Sequence, residues 1–88
     1  MAYDYRVTQV FLDGYDALDD AAVAQVDAAV ERLLEEHESA WARQGRVKGE
    51  SGEAWIIELR TQSADISIYW DYLAGQLILL AALITRSV

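Results

Sequence analysis

The chain has 88 residues, a formal net charge of −8, no proline, no cysteine, three tryptophans and five tyrosines. That length is one domain, residues 1–88, whose small core must be filled by a few large side chains, and an apolar content of 53% excludes a disordered chain. Lack of cysteine excludes disulfides and thiolate metal sites, the longest apolar run (Leu77 to Ile84) is too short for a membrane span, and the acidity argues against broad affinity for phosphate backbones.

The charge is unevenly placed. Residues 1–38 carry ten acids against Arg6 and Arg32, whereas residues 39–88 carry five acids against five bases. The excess negative charge therefore belongs to the first half, where a solubilising helix face accounts for it. Met1-Ala2-Tyr3-Asp4 has no basic stretch followed by an apolar one, so a secretory leader is not expected and a cytoplasmic protein is.

In chain order, Tyr3 to Phe11 alternates imperfectly and is rich in strand-forming residues, which predicts a strand ending before Asp13-Gly14. Asp16 is placed to cap a short turn or helix containing Leu18, and Asp19 or Asp20 to cap the main helix. Val23, Val26, Val30, Leu33, Leu34, His37 and Trp41 recur at three- and four-residue steps and form one apolar stripe. That helix is expected to cover at least Ala22–Glu36 and to run to about Ala42, with a helical hairpin as the alternative.

Beyond Gly45 the period changes to two. Arg46-Val47-Lys48 reads as a short extended piece and Gly49 to Gly52 as a turn. Trp55, Ile57 and Leu59 then share one face of a strand, and Ile66, Ile68, Trp70 and Tyr72 one face of the next. After a turn at Gly75, Leu77 to Ile84 is apolar on both faces, as in a covered strand. The expected fold is α+β: an N-terminal strand and helix packed on a mainly antiparallel four-stranded sheet. Trp41, Trp55 and Trp70 are expected to be buried, and Glu58, Arg60, Ser67, Tyr69 and Asp71 to share the opposite, polar face.

The segments "VKGESGEAWIIELR", "ISIYW" and "GQLILLAALITR" resemble the C-terminal half of toxins of the RelE/ParE superfamily, HigB-like members in particular. With the N-terminal strand and helix, the likeness covers nearly the whole chain and implies a RelE-like fold. By that resemblance Lys48 matches the basic residue before the turn, and Trp55, Glu58, Leu59 and Arg60 match the second strand. Tyr69 matches a third-strand aromatic and Arg86 the last basic position. The sequence departs from the family where a third-strand arginine would fall at Ile66 or Ser67, where a histidine would fall at Ala81, and where a lysine would fall at Thr85.

The resemblance implies the toxin of a type II toxin–antitoxin system, a ribosome-dependent mRNA endonuclease that inhibits translation. Its implied partners are a cognate antitoxin, the ribosome and mRNA. Such cleavage needs cations to stabilise the charged phosphorane and a proton donor for the leaving oxygen. Arg60, Tyr69 and Arg86 are the catalytic candidates, and Arg46 and Lys48 the RNA-binding ones. Neither a metal nor another cofactor is expected. With the family's arginine and histidine missing, low activity is expected, and the alternative is a non-enzymatic binding protein on the same fold, either a ParE-like gyrase inhibitor or a protein-interaction module. His37 lies on the helix stripe and reads as a core or boundary residue.

Overall fold

The computed structural model describes residues 5–49 and 52–87. Its elements are β1 (Tyr5–Val7), α1 (Gln9–Asp16), α2 (Asp20–Glu36), β2 (Gly45–Gly49), β3 (Gly52–Arg60), β4 (Ala64–Leu73) and β5 (Gln76–Ser87). They form one mixed sheet of five strands in the order β1-β5-β4-β3-β2, with β1 parallel to β5 and every other pair antiparallel. The α+β class holds, but the sheet is not the expected four-stranded one. The piece around Arg46-Val47-Lys48 is a full edge strand, β2, pairing with β3 from Gly45↔Ile56 to Gly49↔Gly52.

The first strand is shorter than the pattern predicts, because Thr8 converts strand into helix. Its hydroxyl accepts from the Phe11 N–H (3.1 Å) and donates to the Leu80 carbonyl (2.6 Å), while its own N–H reaches the Leu79 carbonyl at 3.1 Å. One residue is thus the last rung of β1 on β5 and the N-cap of α1. Phe11 is consequently a buried helical residue instead of the end of a strand. The part of the expected strand at Tyr3 and Asp4 lies outside the described residues.

The second helix starts as expected. Asp19 accepts from the Ala22 N–H at 2.8 Å, and the Ser63 side chain foremost, with this backbone bond second, holds its carboxyl below its ordinary value. The helix buries Ala22, Val26, Ala29 and Leu33 and stops at Glu36, short of the expected Ala42. Beyond it the chain turns. Ser39 Oγ accepts from the Ala42 N–H, and Arg43 Nε donates to the His37 carbonyl at 2.9 Å. The turn presses Ala42 onto the sheet, where its carbonyl accepts from Trp70 Nε1 at 3.2 Å.

The meander follows the predicted parity. Trp55↔Trp70, Ile57↔Ile68 and Leu59↔Ile66 are opposite pairs of β3 and β4, and the helices cover this face. Trp70 is fully buried and stacks on Trp55, ring centroids 6.4 Å apart. Trp41 and Trp55 are only half-buried, each with a guanidinium on its ring instead of core atoms. The β4–β5 register shifts between Tyr69 and Trp70, so Leu79 faces Trp70 and Ala81 faces Tyr69 with Leu80 between them. This bulge lets Leu77, Leu79 and then Ala82 all enter the core, which explains an apolar run without alternation. The β4–β5 turn places Ala74 and Gly75 at positive φ (54° and 75°), as a two-residue hairpin requires.

Helix α1 crosses β5 at Gly14, where a Cβ would collide with the backbone carbonyl of Ala82. Gly14→Ala sets a helix-propensity gain of about 1 kcal/mol against overpacking of about 1–3 kcal/mol onto backbone that cannot yield. The substitution is expected to lower stability in urea unfolding; a raised midpoint would contradict this close helix–strand contact.

Candidate functional site

The sheet has one face under the helices and one without them. Strand registers order the open face into rows. Arg60, Asp65 and Arg86 form one row; Glu58, Ser67 and Leu83 the next; Ile56, Tyr69 and Ala81 a third; and Asp71, Ile78 and Arg6 a fourth.

This arrangement joins some of the expected catalytic residues and separates others. Arg60 and Arg86 flank the same carboxylate: Arg60 is the cross-strand partner of Asp65, and Arg86 Nε lies 3.9 Å from Asp65 Oδ2. Tyr69 is on the same face but four residues further along β4, about 13 Å at 3.3 Å per residue. Strand side chains stand roughly perpendicular to the sheet, so they keep much of that separation, whereas proton transfer needs contacts near 3 Å. The intervening row holds Glu58, a carboxylate that repels a phosphate placed between Arg60 and Tyr69. Tyr69 itself lies between Ile56 and Ala81.

The expected RNA-binding residues lie on the other side of the sheet. Arg46 is opposite Trp55, whose ring faces the helices, and Lys48 is opposite Glu53. Arg46 pairs with Glu53 and stacks over Trp55 at 4.5 Å, with Arg43 over the same ring at 5.0 Å, and Lys48 Nζ is 3.6 Å from Glu53. Arg46 and Lys48 thus share no surface with Arg60, Tyr69 and Arg86. His37 ends α2, and its ring stacks on Tyr72 at 3.9 Å with an 8° interplanar angle. It is a boundary residue, as its place on the stripe implied. Among the described residues, no cluster of three His, Cys, Asp or Glu is placed to hold a metal. Nor is any helix there long and apolar enough to cross a membrane.

One concave feature was not read from the sequence. A groove of about 450 Å³ lies between β1, α1 and α2, lined by Tyr5, Val7, Leu12, Tyr15, Val30 and Leu34, with Asp27 and Glu31 on its rim. The signal for it is present in the helical pattern: Val30 and Leu34 flank the buried Val26–Leu33 stripe and remain half-exposed, next to acids spaced one helical turn apart. Tyr15 donates to Asp27 Oδ1 at 2.7 Å. This bond is the main reason that its phenol titrates above the usual tyrosine value, with desolvation and the negative charge of Asp27 adding to it.

No family model matches the chain, and neither a curated protein nor a solved structure does.

The Tyr15–Asp27 bond carries a pH signature. A phenol whose folded pKa is raised stabilises the fold fully below its unfolded value, about 10, and this contribution fades as pH rises through the folded value. Urea midpoints are expected to fall from pH 9 to pH 11 in the wild type and to fall less in Asp27→Asn. Equal falls in both proteins would mean that the bond does not persist in solution.

Proposed function

We propose that this chain is a cytoplasmic toxin-type domain of RelE/ParE layout that acts by binding another protein instead of cutting RNA. One observation carries the reading: every cation proposed for phosphate chemistry has a carboxylate beside it. Asp65 lies between Arg60 and Arg86, Glu58 lies in the row between Arg60 and Tyr69, and Glu53 holds both Arg46 and Lys48. A phosphorane needs uncompensated positive charge preorganised around it, and loss of one such contact costs roughly two to three orders of magnitude in rate. The resemblance supplies the rest of the proposal, a cognate antitoxin included.

A second reading keeps the nuclease. It is favoured by the common face of Arg60, Tyr69 and Arg86, and it makes the domain a feeble, ribosome-dependent mRNA endonuclease neutralised by that antitoxin. Arg60→Ala separates the two, since Arg60 is exposed and points away from the core. The binding reading expects induced wild-type protein and Arg60→Ala to slow growth to within about twofold of each other, whereas loss of an essential cation should lower activity roughly a hundredfold or more. Abolished growth inhibition in an Arg60→Ala protein with a native circular-dichroism spectrum would establish the open face as the site. A wild type without effect on growth would remove the toxin assignment.

A further inference from the structure

The groove between β1, α1 and α2 has an apolar floor, and its charged lining residues, Asp27 and Glu31, are both acids. Tyr5 is 45% exposed, Leu12 39% and Val7 38%, all three along this one groove. Large apolar side chains gathered in one concave place, with a polar rim, mark a binding surface, whereas single exposed ones do not. The helix layer stops short here. Helix α1 packs down on β5 through Gly14, and the inward side chains of the edge strand β1 line the groove instead of lying beneath a helix.

We propose that an amphipathic helix of a partner protein, apolar along one stripe and bearing Lys or Arg on its flank, lies in this groove as a third helix of the layer. Groove recognition of this kind uses apolar anchors at i, i+3, i+4 and i+7, and the lining supplies sockets from β1, α1 and α2 at once. Charge selects the occupant. A second copy brings a chain of net charge −8 against another of net charge −8. A neutral small molecule leaves the acidic rim unused. Glu31 has no cationic partner among the described residues, and Asp27 is held at the rim by the Tyr15 hydroxyl. A cationic helix meets both carboxylates and is steered toward them from a distance. This assignment rests on the protein-binding reading and gives that reading a place. It differs from what the family resemblance implies, which is a partner covering the basic residues of the second half.

The test is fluorescence anisotropy of the full chain with a labelled peptide of about 18 residues, long enough to be helical, built of leucine and lysine on opposite faces. A matched leucine–glutamate peptide serves as the charge control. Saturable binding of the lysine peptide alone is expected. It should weaken at least about tenfold in Glu31→Lys and in Leu12→Lys and stay within about twofold in Glu58→Lys, which makes the same charge change on the open face. The substituted residues are all exposed, and melting curves verify folding. Equal weakening in Glu58→Lys would reduce the binding to net charge and overturn the proposal, as would binding of both peptides alike. Dimers in sedimentation at assay concentrations would give the groove to a second copy. An apolar dye bound without any peptide binding would give it to a small ligand. Either of these would overturn the proposal too. Growth inhibition that survives Arg60→Ala while no peptide binds would overturn this placement alone and leave the binding reading standing.

Discussion

Trp70 is the constraint on which the rest of the molecule depends. It sits on β4, the middle strand of five, and is fully buried. Its indole N–H donates to the Ala42 carbonyl, and Trp55 stacks against it from the neighbouring strand. A buried carbonyl without a donor costs about 1–3 kcal/mol, and removing a large core aromatic costs about 3–5 kcal/mol, so this one residue carries a large share of the stability of a small domain. Its position also has consequences at a distance. By drawing the chain between α2 and β2 onto the sheet, it brings Arg43 beside Trp55, next to the Arg46 of β2, and both cations become part of the helix-side packing.

The electrostatics follow from that arrangement. Positive charge is scarce, and most of it is committed locally: Arg32 to Glu36 and the Trp41 ring, Arg46 and Lys48 to Glu53, Arg86 to Asp65. Exposed pairs of this kind add little stability, since solvent screens them. Their effect is on the field, because they cancel cations that would otherwise attract a phosphate backbone. The acids of the helices are mostly left uncancelled, so the field outside the helix layer is negative. That polarity suits a basic protein surface and opposes RNA, in keeping with the charge asymmetry between the two halves of the chain.

Period-two patterning made the meander legible, because a slip of one residue would turn Trp55, Ile57, Ile68 and Trp70 out of the core together. The same parity put Arg60 and Tyr69 on one face. What it could not supply was their separation, since the pairing of Arg60 with Asp65 and of Ile56 with Tyr69 depends on the short Thr61 turn. There the Thr61 N–H and hydroxyl both donate to the Ala64 carbonyl. Nor could composition reveal Thr8, where one hydroxyl ends a strand and begins a helix that a run of β-prone residues conceals. The side of the sheet taken by Arg46 and Lys48 followed from β2 pairing fully with β3, which a three-residue extended piece did not announce. The groove was missed because it is built from the flank of a helix stripe and an edge strand that are far apart in sequence.

Asp65, between Arg60 and Arg86, is the carboxylate at the centre of the cation pair on the open face. Asparagine at this position frees the two arginines of a carboxylate but still leaves Tyr69 four residues away behind Glu58. Cleavage of mRNA on purified, programmed ribosomes, measured under single-turnover conditions for the wild type and for Asp65→Asn, is the measurement. Neither protein is expected to cleave above background. Cutting by the wild type that is lost on Arg60→Ala would contradict this and make this face a working active site.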